Sequence, residues 1–187
     1  MSKVAVALAP GFEEVEALTI VDVLRRCGVE VITAGLGSSP IEGAHQVKVI
    51  PDIDLDSLNI EDYDAFVLPG GAPGYENLRK DQRVIDAVKR AFEEKKIVAA
   101  MRASPSVLSD AGVLRGKKAT IYPGMEDELR KGGAEIKEDL VVQDGNIVTS
   151  RGPATAVFFA LKLGEILASK SAAEEVKKQM LVDLVIK

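Results

Sequence analysis

The chain has 187 residues, of which 47% are hydrophobic and 28% charged, with one cysteine, one histidine and no tryptophan. A formal net charge of −5 excludes the basic face that general nucleic-acid binding requires. The lone Cys27 rules out an internal disulfide or a multi-cysteine metal site, and the lone His45 rules out a centre built from several histidines.

These values fit one soluble domain over residues 1–187, long enough to bury a core without staples. No apolar run reaches bilayer length, and the opening MSKVAVALAPGFEE lacks a signal-peptide layout. A cytoplasmic protein with no membrane partner is therefore expected.

Lys3 to Leu8 reads as a short buried strand, ended by Pro10-Gly11. Glu13 to Cys27 carries Val15, Leu18, Val21 and Leu24 at helical spacing, with Gly28 as the stop. Glu30 to Ala34 is a second strand, and His45 to Ile50 alternates like a half-exposed one. Ala65 to Leu68 is a buried strand that runs into Pro69-Gly70-Gly71. Asp81 to Glu94 is a helix whose inner face holds Val84, Ile85, Val88 and Phe92. Lys96 to Met101 is a strand, followed by a helix from Ser104 to Ala111.

Ala119 to Tyr122, Leu140 to Gln143 and Ile147 to Ser150 read as strands, the last two joined by the hairpin signal Asp144-Gly145-Asn146. Thr155 to Leu167 and Ala172 to Leu181 are helices. Strands alternating with helices across short Gly/Pro turns imply an α/β fold, a mainly parallel sheet with helices on both faces. Ligands of such folds bind beyond the carboxyl ends of the strands. Three turns occupy that rim: Pro10 to Glu14, Pro69 to Pro73, and Arg102 to Ser106.

The third turn is a strand-turn-helix elbow of the kind that exposes a nucleophile at its tip, beside free backbone N–H groups. Its tip is Arg102. A guanidinium offers only donors and stays cationic across the physiological range, so it cannot attack a carbonyl. Neighbouring Ser104 and Ser106 lack a base, since the only histidine lies on a distant segment. Ser104 before Pro105 is better read as a helix N-cap with proline in the first turn.

The words GFEEVEA (11–17), DVLRRCG (22–28), LPGGAPG (68–74), AAMRASP (99–105), YPGMEDEL (122–129) and TSRGPATA (149–156) resemble the ThiJ/PfpI superfamily over nearly the whole chain. The branch is that of the parkinsonism-associated protein deglycase and its short bacterial relatives. The resemblance implies a flavodoxin-like three-layer sandwich, a homodimer and no cofactor or metal. It also implies glyoxalase or deglycase chemistry on methylglyoxal-type dicarbonyls, redox sensing or chaperone-like protection.

The family's active cysteine sits where this chain has Arg102. The resemblance assigns Glu16 as the carboxyl beside the thiol. Gly70, Gly71 and Ala103 match the oxyanion donors, and Tyr122 stands where some relatives have histidine. Glu14, Ala72, Ser104, Arg151 and Pro153 complete the expected substrate pocket, whose ligand would be a small carbonyl or an anion.

Arg102 is open to three readings: a drift product filling the old pocket, a new anion site, or a deliberate replacement in a cysteine-bearing parent. In each, a semi-buried guanidinium needs a carboxylate, and a bidentate pair with an ionised Glu16 is expected. Glu13 and Glu14 read as a favourable charge cluster at a helix N-terminus, Cys27 as an inert core thiol and His45 as a surface strand residue. The expected function is a family member inactive in thiol chemistry. The alternatives are a non-covalent carbonyl hydratase or isomerase using Glu16 and Tyr122, and a non-catalytic chaperone-like or binding protein.

Overall fold

Strand β1 (Lys3–Leu8) is apolar on both faces, because each face meets a separate core. Val4, Val6 and Leu8 enter one cluster, and Ala5 and Ala7 the other. The computed structural model describes residues 1–186. After β1 come α1 (Glu14–Arg26), β2 (Glu30–Gly35), β3 (Ile41–Glu42), β4 (Lys48–Val49) and β5 (Ile53–Asp54). The middle of the chain forms β6 (Ala65–Leu68), α2 (Gly74–Lys80), α3 (Gln82–Glu93), β7 (Ile97–Met101) and α4 (Pro105–Asp110). It continues through β8 (Lys118–Ala119), α5 (Glu126–Lys131), β9 (Glu135–Ile136), β10 (Val141–Asp144) and β11 (Ile147–Ser150). Three helices close the described chain: α6 (Ala156–Leu167), α7 (Lys170–Gln179) and α8 (Val182–Val185).

The central sheet has the order β10-β11-β7-β6-β1-β2-β5, parallel throughout except for the antiparallel β10–β11 hairpin. Helices α1 and α6 cover one face, where Gly164 lets α6 approach Cys27 of the α1 terminus closely. Helices α3 and α4 cover the other. This is the expected layered α/β architecture. From β1 the chain turns one way to β2 and later returns on the opposite side to β6. The loops after β1 and β6 therefore flank a crevice at the strands' carboxyl ends. No helix among the described residues is long and apolar enough to cross a membrane.

Two expected strands are shorter than their apolar patterns suggest. The reach from His45 to Ile50 contracts to β4 paired with β3, and His45 falls in the turn between them. The N–H groups of His45 and Val47 donate to the Glu14 carboxylate, at 2.7 and 3.3 Å, instead of joining a ladder. Ala119 to Tyr122 likewise yields only β8. Thr120 N–H donates to Thr149 Oγ1 and Tyr122 N–H to the Arg102 carbonyl, which draws this segment against the elbow. At the C-terminus the expected helix to Leu181 stops at Gln179, and Leu181 adopts φ 60° before α8. Helices α2 and α5 were not anticipated.

Candidate functional site

Strand β7 delivers the chain into a sharp reversal at Arg102, whose φ of 59° lies in the left-handed region that non-glycine residues rarely adopt. Three contacts hold this conformation. Arg102 N–H donates to the Ser150 carbonyl at 2.9 Å, and the Arg102 carbonyl accepts from Tyr122 N–H at 2.9 Å. The buried Ser104 hydroxyl donates to the Pro69 carbonyl at 2.6 Å. Ser104 thus occupies the N-cap position of α4 but makes no side-chain cap bond, contrary to the expected capping role. Its hydroxyl ties the elbow to the end of β6, where an unpaired buried carbonyl would otherwise remain. Ser106 turns inward and donates to the Ala103 carbonyl.

From the elbow the Arg102 side chain passes directly over Gly70. A Cβ built on Gly70 would lie 2.7 Å from Arg102 Cβ and 2.5 Å from a Glu16 oxygen. Gly71, at φ 110°, packs on the backbone of Phe12 and Glu13 with no room for a side chain. These two glycines bring the β1 and β6 loops together around the arginine.

The carboxylate that pairs with Arg102 is Glu13, not Glu16. Arg102 Nη1 donates to Glu13 Oε2 at 2.7 Å and stands 3.8 Å from Glu16 Oε1. The expected bidentate Arg102–Glu16 pair does not form, and depth explains why. Glu16 is fully buried beneath the elbow, with Oε2 held by the Gly70 N–H at 2.6 Å. Glu13 lies at the rim, where a guanidinium that is 26% exposed reaches it while keeping part of its hydration.

Glu16 Oε1 is buried and has no hydrogen-bond partner among the described residues. Burial pushes the Glu16 carboxyl up to about 7, against the attraction of Arg102 and the Gly70 N–H, while Glu13 adds to the rise. An ionised Glu16 was expected from the Arg102–Glu16 pair, which does not form, and burial works against its charge.

His45 is on the surface as expected, but in a turn rather than a strand, and it is paired with two carboxylates. Its Nδ1 lies 3.0 Å from Glu14 Oε2 and 3.2 Å from Glu13 Oε1. The Glu14 carboxylate accepting from the ring, helped by the charge of Glu13, raises the imidazole above its ordinary value. The only histidine therefore stands one carboxylate away from Arg102. Glu13, Glu14 and His45 also form a set whose ligating atoms lie within 4.8 Å of one another, as a metal ion would need. Here the imidazole bridges the two carboxylates, so the trio is internally paired. The Glu14 carboxylate rests on Gly43 and serves the His45 turn, away from the elbow.

A cavity of about 170 Å³ opens beside the guanidinium. Gly71, Ala72 and Ala103 form its backbone wall, and Tyr75, Tyr122 and Met125 its side-chain wall. The Tyr122 ring centre is 5.7 Å from the Arg102 guanidinium carbon. Arg151 braces the wall from outside, donating to the carbonyls of Ile121 and Glu138, and Pro153 opens the 3-10 turn before α6. A larger groove between β10, α6 and α7 is lined by solvated Lys162, Glu165, Glu174 and Lys177 and has no strained backbone.

Tyr75 and Met125 escaped sequence reasoning because the elements that carry them did. The signals were present. Glu126, Asp127 and Glu128 precede Arg130, Lys131 and Gly132, which is the charge order of a short helix with its stop. Pro73 before Gly74, with Arg79 and Lys80 in the last turn, marks α2 in the same way.

A left-handed elbow after a central parallel strand, flanked by glycine loops at a topological switch, defines an α/β protein of the nucleophile-elbow kind. The chain belongs to the DJ-1/PfpI family, whose model matches residues 2–166. It is 41% identical over 184 residues to the Drosophila melanogaster protein dj-1beta, covering 97% of this chain and 98% of that one. A deglycase of Pyrococcus horikoshii is 40% identical over 153 residues, 81% of this chain and 91% of its own. Among solved structures, Drosophila melanogaster DJ-1beta superposes with a TM-score of 0.92 at 40% identity, covering 97% and 98% of the two chains. Oxidized Toxoplasma gondii DJ-1 does so with 0.91 at 37% identity and the same coverage.

Proposed function

We propose that this chain belongs to the stress-protective deglycase class of its family, with a small carbonyl or anion as ligand and no thiol chemistry at its elbow. The observation that carries this reading is the side chain at the left-handed tip. A guanidinium paired with Glu13 stands where a nucleophile would project, and it has no lone pair to offer an electrophilic carbon. The deglycase named among its relatives supports the class of substrate. The protein is read as a cytoplasmic homodimer, with Val15, Leu18, Val47 and Ile50 exposed beside the site as candidate interface residues.

Methylglyoxal turnover by the unaltered chain and by Arg102→Cys tests the proposal. The unaltered chain should be silent, and Arg102→Cys should gain turnover that iodoacetamide abolishes. Turnover by the unaltered chain that survives Cys27→Ser would end this reading.

That second outcome would favour acid–base catalysis without a covalent step. Glu16 is the observation behind it, because a carboxyl titrating at about 7 suits proton transfer near neutrality. Glu16 is buried beneath the elbow and does not line the cavity, so it would act through Arg102 or a bound water, with Tyr122 in the cavity wall orienting the carbonyl. Loss of turnover in Glu16→Gln would then distinguish it.

A further inference from the structure

We infer that the Arg102 cavity is a receptor for small carboxylates of the 2-oxo acid class, with Arg102 as the residue that selects for charge. The inference rests on reading this cleft as the functional site, but not on any lost or retained thiol chemistry.

Arg102 is the only charged residue in the cavity wall, which is otherwise backbone, tyrosine and methionine. Its pairing is one-sided. Among the described residues only Nη1 meets protein acceptors, Glu13 at 2.7 Å and Glu16 at 3.8 Å. The Nε and Nη2 donors make no bond to protein. A guanidinium edge with two parallel N–H groups matches the two oxygens of a carboxylate.

The backbone lining supplies complementary donors. The backbone N–H groups of Gly71, Ala72 and Ala103 donate to no protein acceptor among the described residues, and all three residues line the cavity. Gly71 and Ala103 are buried residues, so their N–H groups call for an acceptor, while Ala72 is exposed and adds a donor at the cavity mouth. A 2-oxo acid carries its acceptors in that pattern: two carboxylate oxygens, and a ketone oxygen on the next carbon.

Size and charge narrow the class further. A cavity of about 170 Å³ is below the usual range for drug-sized ligands, so an acid of a few carbons fits. Tyr75 and Met125 offer apolar contact to a methyl or methylene tail. A single cation already shared with Glu13 suits a monoanion better than a phosphate dianion. Behind the guanidinium, Glu16 Oε1 lies 3.8 Å from Nη1 and has no hydrogen-bond partner among the described residues.

The test titrates the full chain with pyruvate in low salt, following backbone amide resonances, beside hydroxyacetone as a neutral probe of similar shape and inorganic phosphate. Pyruvate should bind saturably and move the Gly71, Ala72 and Ala103 amides, while hydroxyacetone leaves them in place and phosphate binds more weakly. Arg102→Gln should weaken pyruvate by roughly tenfold to a hundredfold, as loss of a charge-assisted pair does, and Arg102→Lys by less. Equal response to pyruvate and hydroxyacetone, undiminished binding in Arg102→Gln, or shifts confined to other regions would overturn the inference. Because the amide map uses the unaltered chain, it decides the matter even if a variant fails to fold. Absent pyruvate binding alongside an active Arg102→Cys variant would refute this inference and leave the thiol-loss reading standing. Pyruvate binding with an inert Arg102→Cys would do the reverse.

Discussion

Arg102 and Glu16 are 3.8 Å apart at their nearest charged atoms, yet the buried carboxyl is not held in its ionised form. Complete desolvation outweighs one attractive charge at that distance and one backbone N–H. The consequence for stability has a definite sign. The folded state raises Glu16 from an ordinary 4.5 to about 7, so it binds this proton more tightly than the unfolded chain. The favourable contribution is complete below about 4.5 and is lost as pH climbs through about 7. Glu16→Gln removes the titration but keeps an acceptor for the Gly70 N–H. Urea denaturation should show the unaltered chain losing about 2 kcal/mol more than this variant between about pH 5 and pH 8. His45, also raised in the folded state, loses its contribution in the same direction in both proteins, so it cancels in the difference. Parallel pH profiles for the two proteins would mean that Glu16 titrates normally.

The long buried elements were readable because their patterns have few solutions. β1, β6 and β7 are near-continuous apolar runs, as strands covered on both faces must be, and α3 shows a clear apolar stripe. The elbow was also legible, since Pro105 fixes a helix start directly after a buried strand. The short polar helices α2 and α5 were not, having too few core residues to show a period. Partner choice was equally hidden. Glu13 and Glu16 are three positions apart, and only their depths decide which one takes Arg102. Ser104 makes the same point, since a serine before proline looks identical whether its hydroxyl caps a helix or reaches another loop. The two roles differ under substitution. Aspartate preserves a cap but cannot donate to the Pro69 carbonyl, and it would bury a charge. Ser104→Ala should cost about 1–2 kcal/mol in chemical denaturation, and Ser104→Asp clearly more. A Ser104→Asp protein as stable as the parent would restore the capping role.

At the scale of the molecule, the proposed dimer has a candidate face on α1 and around β4. Val15 and Leu18 on α1 are 50% and 41% exposed, and Val47 and Ile50 around β4 are 47% and 78% exposed. Single exposed apolar residues need no explanation, but these belong to two segments clamped together by the Glu14 carboxylate on the His45 and Val47 amides. Exposed apolar residues on two such segments, beside the exposed His45, have the composition of a candidate interface. Two copies meeting there around a twofold axis would each present the same patch, as a closed dimer requires. Sedimentation velocity should then give about twice the 20.0 kDa chain mass. Placing charge in the patch, with Val15→Glu and Leu18→Glu together, should shift the protein to monomer. Leu184→Glu, on the equally exposed α8, should leave the dimer intact. A monomeric parent, or a double variant that still sediments as a dimer, would remove α1 from the interface. The location also links assembly to the cleft, since His45 bridges to Glu13 and Glu13 holds Arg102. Covering His45 would then steady the guanidinium from the partner's side, and the monomeric variant should bind pyruvate more weakly than the parent.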